Sequence, residues 1–313
     1  MSIDTASLQH QQGVYVNPAE LIELRGEKYA SLLDQLDLVQ NPLPGDARSE
    51  LTGHGTEFSE FRRYQPGEDI RAIDWRLSAR TGKTYSRVYH EDRERQLHIV
   101  LDQRAPMFFG SRRQFKSVLA AKAAMLVAWS ALDAGYRTGG SLLGSSIRRI
   151  RGQRSQVAVM QLLSAICDVN HQLSTSSQTS LTLSQGVEQG LADTRAGSSI
   201  ALVSDFHDLD DAASELMLHT ARRRRWLLVG IYDPLERTLP QRGVLGISDG
   251  ARRSRAWMTH AISQHCSQQS SKQIERLNEL ATQMGTRIVW MSTTDAISKS
   301  PAHVTVPSSK KAQ

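Results

Sequence analysis

The architecture of this 313-residue chain is most readily predicted from residues 57–80, which read EFSEFRRYQPGEDIRAIDWRLSAR. Arginines, carboxylates and aromatic residues alternate in this segment at a density that a plain solvated surface does not need. Pro66 and Gly67 place a turn in the middle of the segment. The segment therefore predicts a small structured region with paired charges.

This segment resembles the signature of the DUF58 family, which runs approximately F-x-x-x-R-x-Y-x-x-G-D-D-x-R-x-I-D-W-x-x-S-A-R. The match is ungapped, and its one departure is Glu68, where the pattern has Asp. The residues that carry the resemblance are Phe58, Arg62, Tyr64, Gly67, Asp69, Arg71, Ile73, Asp74, Trp75, Ser78, Ala79 and Arg80. The resemblance implies a fold much more than it implies a biochemical activity.

The sequence leaves two alternative roles open for the signature residues. They form either a docking surface or a subdomain held together by arginine–carboxylate pairs, in which Tyr64 and Trp75 are partly buried anchors. We favour the second role, because ion-pair networks often serve structure rather than chemistry. The residues concerned are Arg62, Tyr64, Gly67, Asp69, Arg71, Asp74, Trp75 and Arg80.

From residue 97 onward, short apolar runs alternate with longer segments of helical periodicity. This alternation predicts an α/β fold, a mainly parallel sheet with helices on both faces. Strands are predicted at 97–101, 138–143, 147–150, 199–203, 226–232 and 287–291, and helices at 114–132, 157–169, 181–192, 210–222 and 260–284, with a hairpin at 243–258.

Four regions follow from these patterns. Residues 1–50 are predicted to hold a helix over 17–38, with Asn17 as N-cap and Pro18 at its first position, and then a linker. Residues 51–96 form the small β-containing subdomain with the signature. Residues 97–292 form the α/β domain, and residues 293–313 form a polar, flexible tail.

The α/β region resembles a von Willebrand factor A domain, as expected for the family. Such domains often hold Mg²⁺ in a metal-ion-dependent adhesion site made from an Asp-x-Ser-x-Ser motif, a threonine and a later aspartate. By position, the resemblance assigns these roles to Asp102, Thr179 and Asp205. The motif here reads Asp102-Gln103-Arg104-Ala105-Pro106, so both serines are absent.

The replacement of the two serines changes the chemistry expected at this site. A cation about 4 Å from Mg²⁺ costs roughly 8 kcal/mol at an effective dielectric constant near 20. We therefore expect no cofactor and no tight Mg²⁺ binding. Arg104 is expected to fold back as a built-in cation for Asp102 or Asp205, because its planar fork suits carboxylates. The alternative is that Arg104 points into solvent.

Composition favours a cytoplasmic protein. The chain has no run of about 18 apolar residues and no charged-then-apolar leader at its start. Cys167 and Cys266 are too few and too far apart for a zinc cluster or a disulfide framework. The net charge of +6 is spread over separate arginine clusters, which makes nucleic acid a disfavoured partner.

The sequence contains no phosphate-binding loop of the form G-x-x-x-x-G-K-[ST], no H-E-x-x-H and no G-x-S-x-G. We therefore predict a non-enzymatic protein, and the family resemblance implies an adaptor role. Relatives of the family commonly accompany MoxR-type AAA+ ATPases and other A-domain proteins, so the resemblance implies those partners.

Two alternatives to the adaptor are left open. One is a metal-dependent hydrolase or nuclease that uses Asp69 and Asp74, or the acidic loop at 205–211. The other is a module that binds nucleic acid or an anionic membrane.

Overall fold

The computed structural model of the chain describes residues 13–26, 57–65, 69–90, 95–174, 180–248 and 253–295. These residues divide into two compact units. The signature unit comprises 57–65 and 69–90, and the sheet unit comprises the remainder. Gly67, Thr179 and the end of the helix predicted over 17–38 lie outside the described residues.

The elements follow one another in an order close to the one that the sequence predicts. The helices are α1 Pro18–Glu23, α2 Trp75–Thr81, α3 Lys116–Asp133, α4 Gln156–His171, α5 Leu183–Ala192, α6 Asp211–Ala221, α7 Pro234–Arg237 and α8 His260–Gln283. The strands are β1 Glu57–Arg63, β2 Tyr85–His90, β3 Gln96–Asp102, β4 Arg137–Leu143, β5 Ile147–Gln153, β6 Ser199–Ser204, β7 Arg225–Tyr232, β8 Gly243–Ser248, β9 Arg253–Met258 and β10 Ile288–Ser292. Short 3₁₀ turns occur at Leu24–Gly26, Ile70–Ala72 and Ala105–Met107.

A six-stranded sheet of order β10-β7-β6-β3-β4-β5 forms the centre of the sheet unit. Neighbouring strands are parallel except β4 and β5, which form an antiparallel hairpin at one edge. All six residues of β6 are buried, as expected for a strand with helices on both faces. The predicted mixed α/β fold with a mostly parallel sheet is therefore confirmed.

Each face of the sheet has its own apolar core. Alternate residues of the central strands, such as Ile99 and Val203, pack with α3 and α4 on one face. Their neighbours, such as Val100 and Leu202, pack with α5, α6 and α8 on the other. Helix α5 approaches the sheet closely because of its glycines: a Cβ on Gly186 would lie 2.4 Å from the Leu143 side chain.

The N-terminal segment, residues 13–26, belongs to the sheet unit. Val16, Leu21 and Leu24 are buried in the core, and the Leu21 carbonyl accepts a hydrogen bond from Trp129 Nε1 at 3.0 Å. Asn17 caps α1 as predicted, with its side chain accepting from Ala19 N. The predicted separation of 1–50 from the α/β domain therefore does not hold for the described part of this region, because its apolar side chains complete the core.

Two buried amide side chains connect the N-terminal segment with the end of β3. Val16 N donates to Asn170 Oδ1 at 2.9 Å. Asn170 Nδ2 in turn donates to Gln103 Oε1 at 2.8 Å, and Gln103 is the residue that follows β3. The position of the N-terminal segment is thus coupled to the start of the loop that carries Arg104.

The signature unit is an antiparallel β1–β2 pair with a register irregularity between Phe58 and Glu60, together with α2. Asp69 caps the 3₁₀ turn at Ile70–Ala72 and Asp74 caps α2. Gly82 ends α2 in the left-handed region at φ 68°, where glycine pays no steric penalty.

The predicted hairpin at 243–258 is present as β8 and β9, which form a separate two-stranded sheet. The predicted flexible tail begins too early, at residue 293. Thr293 is fully buried, and its hydroxyl donates to Asp233 Oδ2 at 2.6 Å. Residues 296–313 lie outside the described part of the chain.

Candidate functional site at the carboxyl edge of the sheet

Three aspartates mark the carboxyl edge of the sheet. Asp102 is the last residue of β3, while Asp205 follows β6 and Asp233 follows β7. Parallel strands end at the same edge, which is where ligands of open α/β sheets bind. Asp233 has a structural role there, since it caps α7 and accepts from the backbone N of Ser111 at 2.8 Å.

Arg104 folds back onto Asp102, as one of the two sequence-based alternatives states. Arg104 Nε donates to Asp102 Oδ1 at 2.9 Å, and Nη2 donates to Oδ2 at 2.7 Å. The Arg104 side chain is 4% exposed and that of Asp102 is 1% exposed. The alternative in which Arg104 points into solvent is therefore wrong.

The outer edge of the same guanidinium is bound by Asp208. Nη1 donates to Asp208 Oδ2 at 2.5 Å, and Nη2 donates to Oδ1 at 2.8 Å. Nη1 also donates to the Leu181 carbonyl at 3.1 Å, just before α5. All five N–H donors of the guanidinium thus have an acceptor. Arg104 is saturated by two carboxylates and one carbonyl.

The carboxylate of Asp102 is equally saturated. Its Oδ1 accepts from Arg104 Nε and from the backbone N of Arg104 at 3.0 Å. Its Oδ2 accepts from Arg104 Nη2 and from Ser204 Oγ at 2.8 Å. A carboxylate offers about four lone-pair sites, so none is left for a cation. The residues present do not fit the Mg²⁺ of an adhesion site.

Burial raises the pKa of Asp102, and its hydrogen bonds with Arg104 offset only part of this effect, whereas the other two members of the cluster are stabilised in their charged forms. Burial alone would lower the pKa of Arg104, but the hydrogen bonds with Asp208 and Asp102 outweigh it, so this pKa is raised. Burial alone would raise the pKa of Asp208, but its hydrogen bond with Arg104 outweighs that effect, so this pKa is lowered. Arg104 and Asp208 therefore keep their charges across the ordinary pH range.

A second buried cation, Lys116, lies at the same edge and was not singled out from the sequence. Lys116 is the first residue of α3, and its Nζ donates to Asp205 Oδ2 at 2.7 Å and to Glu236 Oε1 at 2.5 Å. Burial would lower the pKa of Lys116, but Asp205 and Glu236 more than offset it, so this pKa is raised. Asp205 therefore pairs with Lys116 and not with Arg104.

A sequence signal for Lys116 existed. A cation in the first turn of a helix is opposed by the helix dipole, and the rest of this Ala-rich helix is mostly buried. A lysine at that position therefore requires a carboxylate from elsewhere in the fold.

The aspartates of the acidic loop at 205–211 each have a separate structural role. Asp205 binds Lys116, Asp208 binds Arg104 and Asp210 caps α6 by accepting from Ala213 N. Asp211 lies in the first turn of α6. Across the described ranges, no group of three or more His, Cys, Asp or Glu residues is arranged to hold a metal ion.

The signature residues are placed in the other unit, and most have recognisable local roles. Asp69 accepts from Arg71 N at 2.9 Å and Asp74 accepts from Leu77 N at 2.8 Å, so both proposed hydrolase carboxylates are helix or turn caps. Trp75 is 65% exposed. The prediction of a partly buried anchor is wrong for Trp75, because Asp74 starts α2 in an orientation that turns Trp75 outward. Arg62 and Tyr64 are half-buried, while Arg71 and Arg80 are exposed.

Within the described residues, no helix combines the length and apolar character needed to cross a membrane. Cys167 is buried and Cys266 is half-buried, and both are free thiols.

Comparison with other proteins gives sequence relatives without a known activity. An uncharacterized protein of Mycobacterium bovis and one of Mycobacterium tuberculosis strain H37Rv are each 34% identical over 137 residues. These matches cover 41% of this chain and 43% of the relatives, so this chain matches less than half of their length.

Two solved structures align with the chain. The conserved hypothetical protein BatB from Bacteroides thetaiotaomicron has a TM-score of 0.42 and 11% identity, covering 66% of this chain and 95% of its own. An uncharacterized membrane spanning protein from Vibrio fischeri has a TM-score of 0.22 and 13% identity, covering 65% of this chain and 92% of its own. At these TM-scores the likeness adds nothing to the fold described above.

The match to a protein family is more extensive than any of these. Residues 60–276 match a family that is described as a protein of unknown function, and these residues are more than half of the chain. They include the second part of β1 and the carboxyl ends of β3, β6 and β7. This chain belongs to the family DUF58.

Proposed function

We propose that this chain is a non-enzymatic adaptor built on a von Willebrand factor A-like domain, in which a guanidinium replaces the metal of the adhesion site. The supporting observation is the closed cluster of Arg104, where five donors meet five acceptors. A site in which every donor and acceptor is already paired has no group free to activate water or a substrate. Its remaining use is to fix the shape of the edge that a partner binds.

The partner that we propose is a MoxR-type AAA+ ATPase, with other A-domain proteins in the same assembly. The chain has no phosphate-binding loop of its own, so ATP hydrolysis would belong to the partner. Such an adaptor would recruit a client or a complex to the ATPase in the cytoplasm.

Calorimetric titration with Mg²⁺ tests the site. The wild-type protein should show no heat of binding at Mg²⁺ concentrations up to the millimolar range. The matched control is the double substitution Arg104→Ser with Pro106→Ser, which restores the Asp-x-Ser-x-Ser motif and should bind Mg²⁺ more tightly. A micromolar dissociation constant for the wild-type protein would contradict the proposal.

Crosslinking in the native organism, followed by affinity capture and mass spectrometry, tests the partner. The proposal expects recovery of a MoxR-type AAA+ ATPase. Failure to recover any AAA+ protein would remove the proposed partner. Chelator-sensitive hydrolysis of nucleic acid by the isolated chain would instead favour the hydrolase alternative.

A further inference from the structure

We propose that the outer face of α2 is a docking surface for an acidic segment of a partner protein that also carries a large apolar side chain. The Trp75 face is defined by Trp75, Arg76, Ala79 and Arg80. The inference rests on the proposed adaptor role only in that the partner is a protein, and it does not depend on which protein that is.

The orientation of α2 is fixed by its contacts with β2. The backbone N of Asp74 donates to the Tyr85 carbonyl at 2.9 Å, and the backbone N of Tyr85 donates to Ser78 Oγ at 3.0 Å. Leu77 and Ser78 are half-buried on this inner side. The side of α2 opposite to these contacts therefore faces away from β2.

The Trp75 face consists of exposed residues at helical spacing. Trp75 and Ala79 are four residues apart, as are Arg76 and Arg80, so each pair lies on the same side of the helix. All four are exposed, and Trp75 is 65% exposed. Tryptophan and arginine are the residues most enriched at the energetic centre of protein interfaces. Because its contacts with β2 fix the orientation of α2, Trp75 and the two arginines are already held in place for a partner to bind.

The charge of the Trp75 face favours an acidic partner. Its two charged members, Arg76 and Arg80, are exposed arginines, and no carboxylate is among the four residues of the face. The carboxylate next to the face in sequence, Asp74, is buried and caps α2. Complementary potentials steer association and select partners.

Two further exposed apolar side chains of the signature unit favour a protein over a nucleic acid. Ile70, five residues before Trp75, is 62% exposed, and Phe61 on β1 is also exposed. A phosphodiester backbone offers no apolar surface to an isoleucine, whereas a leucine or phenylalanine of a partner does. If a partner covers the Trp75 side chain, on the order of 200 Å² of its surface is removed from water.

Fluorescence anisotropy with two labelled peptides tests the inference on the full chain. One peptide alternates glutamate with leucine and phenylalanine, and the other has lysine at every glutamate position. The wild-type protein should bind the acidic peptide at least about tenfold more tightly than the basic one, and Trp75→Ala should weaken that binding by about tenfold. The double reversal Arg76→Glu with Arg80→Glu should invert the preference.

The matched control is Trp257→Ala, because Trp257 on β9 is 74% exposed and lies outside the Trp75 face. This variant should leave peptide binding unchanged. The inference is overturned if the wild-type protein does not prefer the acidic peptide. It is also overturned if Trp75→Ala lowers the unfolding midpoint without affecting peptide binding, which would mean that the chain itself covers Trp75.

A single-stranded oligonucleotide serves as the third probe. Tighter binding to the oligonucleotide than to the acidic peptide, lost in the same variants, would replace the protein partner with a nucleic acid. If the peptides bind as expected but no AAA+ protein is recovered, the docking role of the Trp75 face stands. Only the identity of the proposed partner is then rejected.

Discussion

Arg104 and Lys116 are both buried cations at the carboxyl edge of one sheet, and each contacts one buried and one partly exposed carboxylate. Arg104 binds Asp102 and Asp208, while Lys116 binds Asp205 and Glu236. The difference lies in geometry. The planar guanidinium fixes its partners through five directed hydrogen bonds, whereas the ammonium group is a point charge with rotatable donors.

This difference indicates separate roles for the two clusters. Both clusters connect three segments. The Arg104 cluster connects the end of β3, the loop after β6 and the start of α5 through five hydrogen bonds. The Lys116 cluster connects the start of α3, the loop after β6 and α7 through two, and its cation is disfavoured by the dipole of α3. Loss of Arg104 should therefore be more damaging than loss of Lys116.

The largest expected effect belongs to Arg104→Met. This change leaves the Asp102 carboxylate buried without its cation, and breaking a buried pair in this way costs about 4 kcal/mol in the free energy of unfolding. Denaturant unfolding measures the loss. Arg104→Lys keeps the charge without the planar fork, so its free energy of unfolding should lie between those of the wild-type protein and Arg104→Met. A loss of less than about 1 kcal/mol for Arg104→Met, the size of a surface pair, would contradict the role given to the cluster.

A smaller effect is expected for Lys116→Met. We expect a loss of about 3 kcal/mol by the same measurement, because Asp205, the more buried of the two carboxylates left behind, is 7% exposed, whereas Asp102 is 1% exposed. The matched control is Lys122→Met, since Lys122 forms a more exposed pair with Glu20 and should cost below about 1 kcal/mol. Equal losses for Lys116→Met and Arg104→Met would remove the distinction between the two clusters.

The third prediction concerns a buried group on β3 that has no permanent charge. His98 shares a hydrogen bond with Ser141, and burial lowers the pKa of His98 to about 4. The unfolded chain takes up a proton near pH 6.5, whereas the folded chain does not do so until about pH 4. Stability is therefore lost as pH falls through this window, by about 2 kcal/mol between pH 7 and pH 5.

Denaturant unfolding at several pH values measures this slope. His98→Gln, which has no titratable group at that position, should flatten it. A slope that survives in His98→Gln would have to arise from other groups.

The strands of the sheet could be predicted because buried parallel strands are nearly continuous apolar runs, as in β6. The contact between Arg104 and Asp102 could also be predicted, since the two residues are close in sequence at a strand end. Asp208 as the second partner of Arg104 was not predicted, because the contact depends on how the loop after β6 closes over β3. Lys116 was missed although its place in the first turn of a mostly buried helix was a signal, because its partners Asp205 and Glu236 are distant from it in sequence.

The error at Trp75 has a different physical cause. Aromatic residues in a segment rich in ion pairs are usually anchors, and this expectation ignores which side of a short helix faces the sheet. That side is set by Asp74 and Ser78, which bind Tyr85. A one-residue shift in the start of α2 rotates each side chain by about 100° around the helix axis, and element boundaries are the least certain part of a sequence-based prediction.

The amide pair Asn170 and Gln103 gives the start of the chain an influence on the far end of β3. Removing residues 13–16 would take away the donor that Asn170 Oδ1 accepts from and leave a buried oxygen unpaired, which costs about 1–3 kcal/mol. Asn170 would then be free to turn away from Gln103, the immediate neighbour of Arg104. Proteolytic trimming of the N-terminus would therefore loosen the rim of the sheet from a distance, and faster hydrogen exchange at the Gln103 amide would report it.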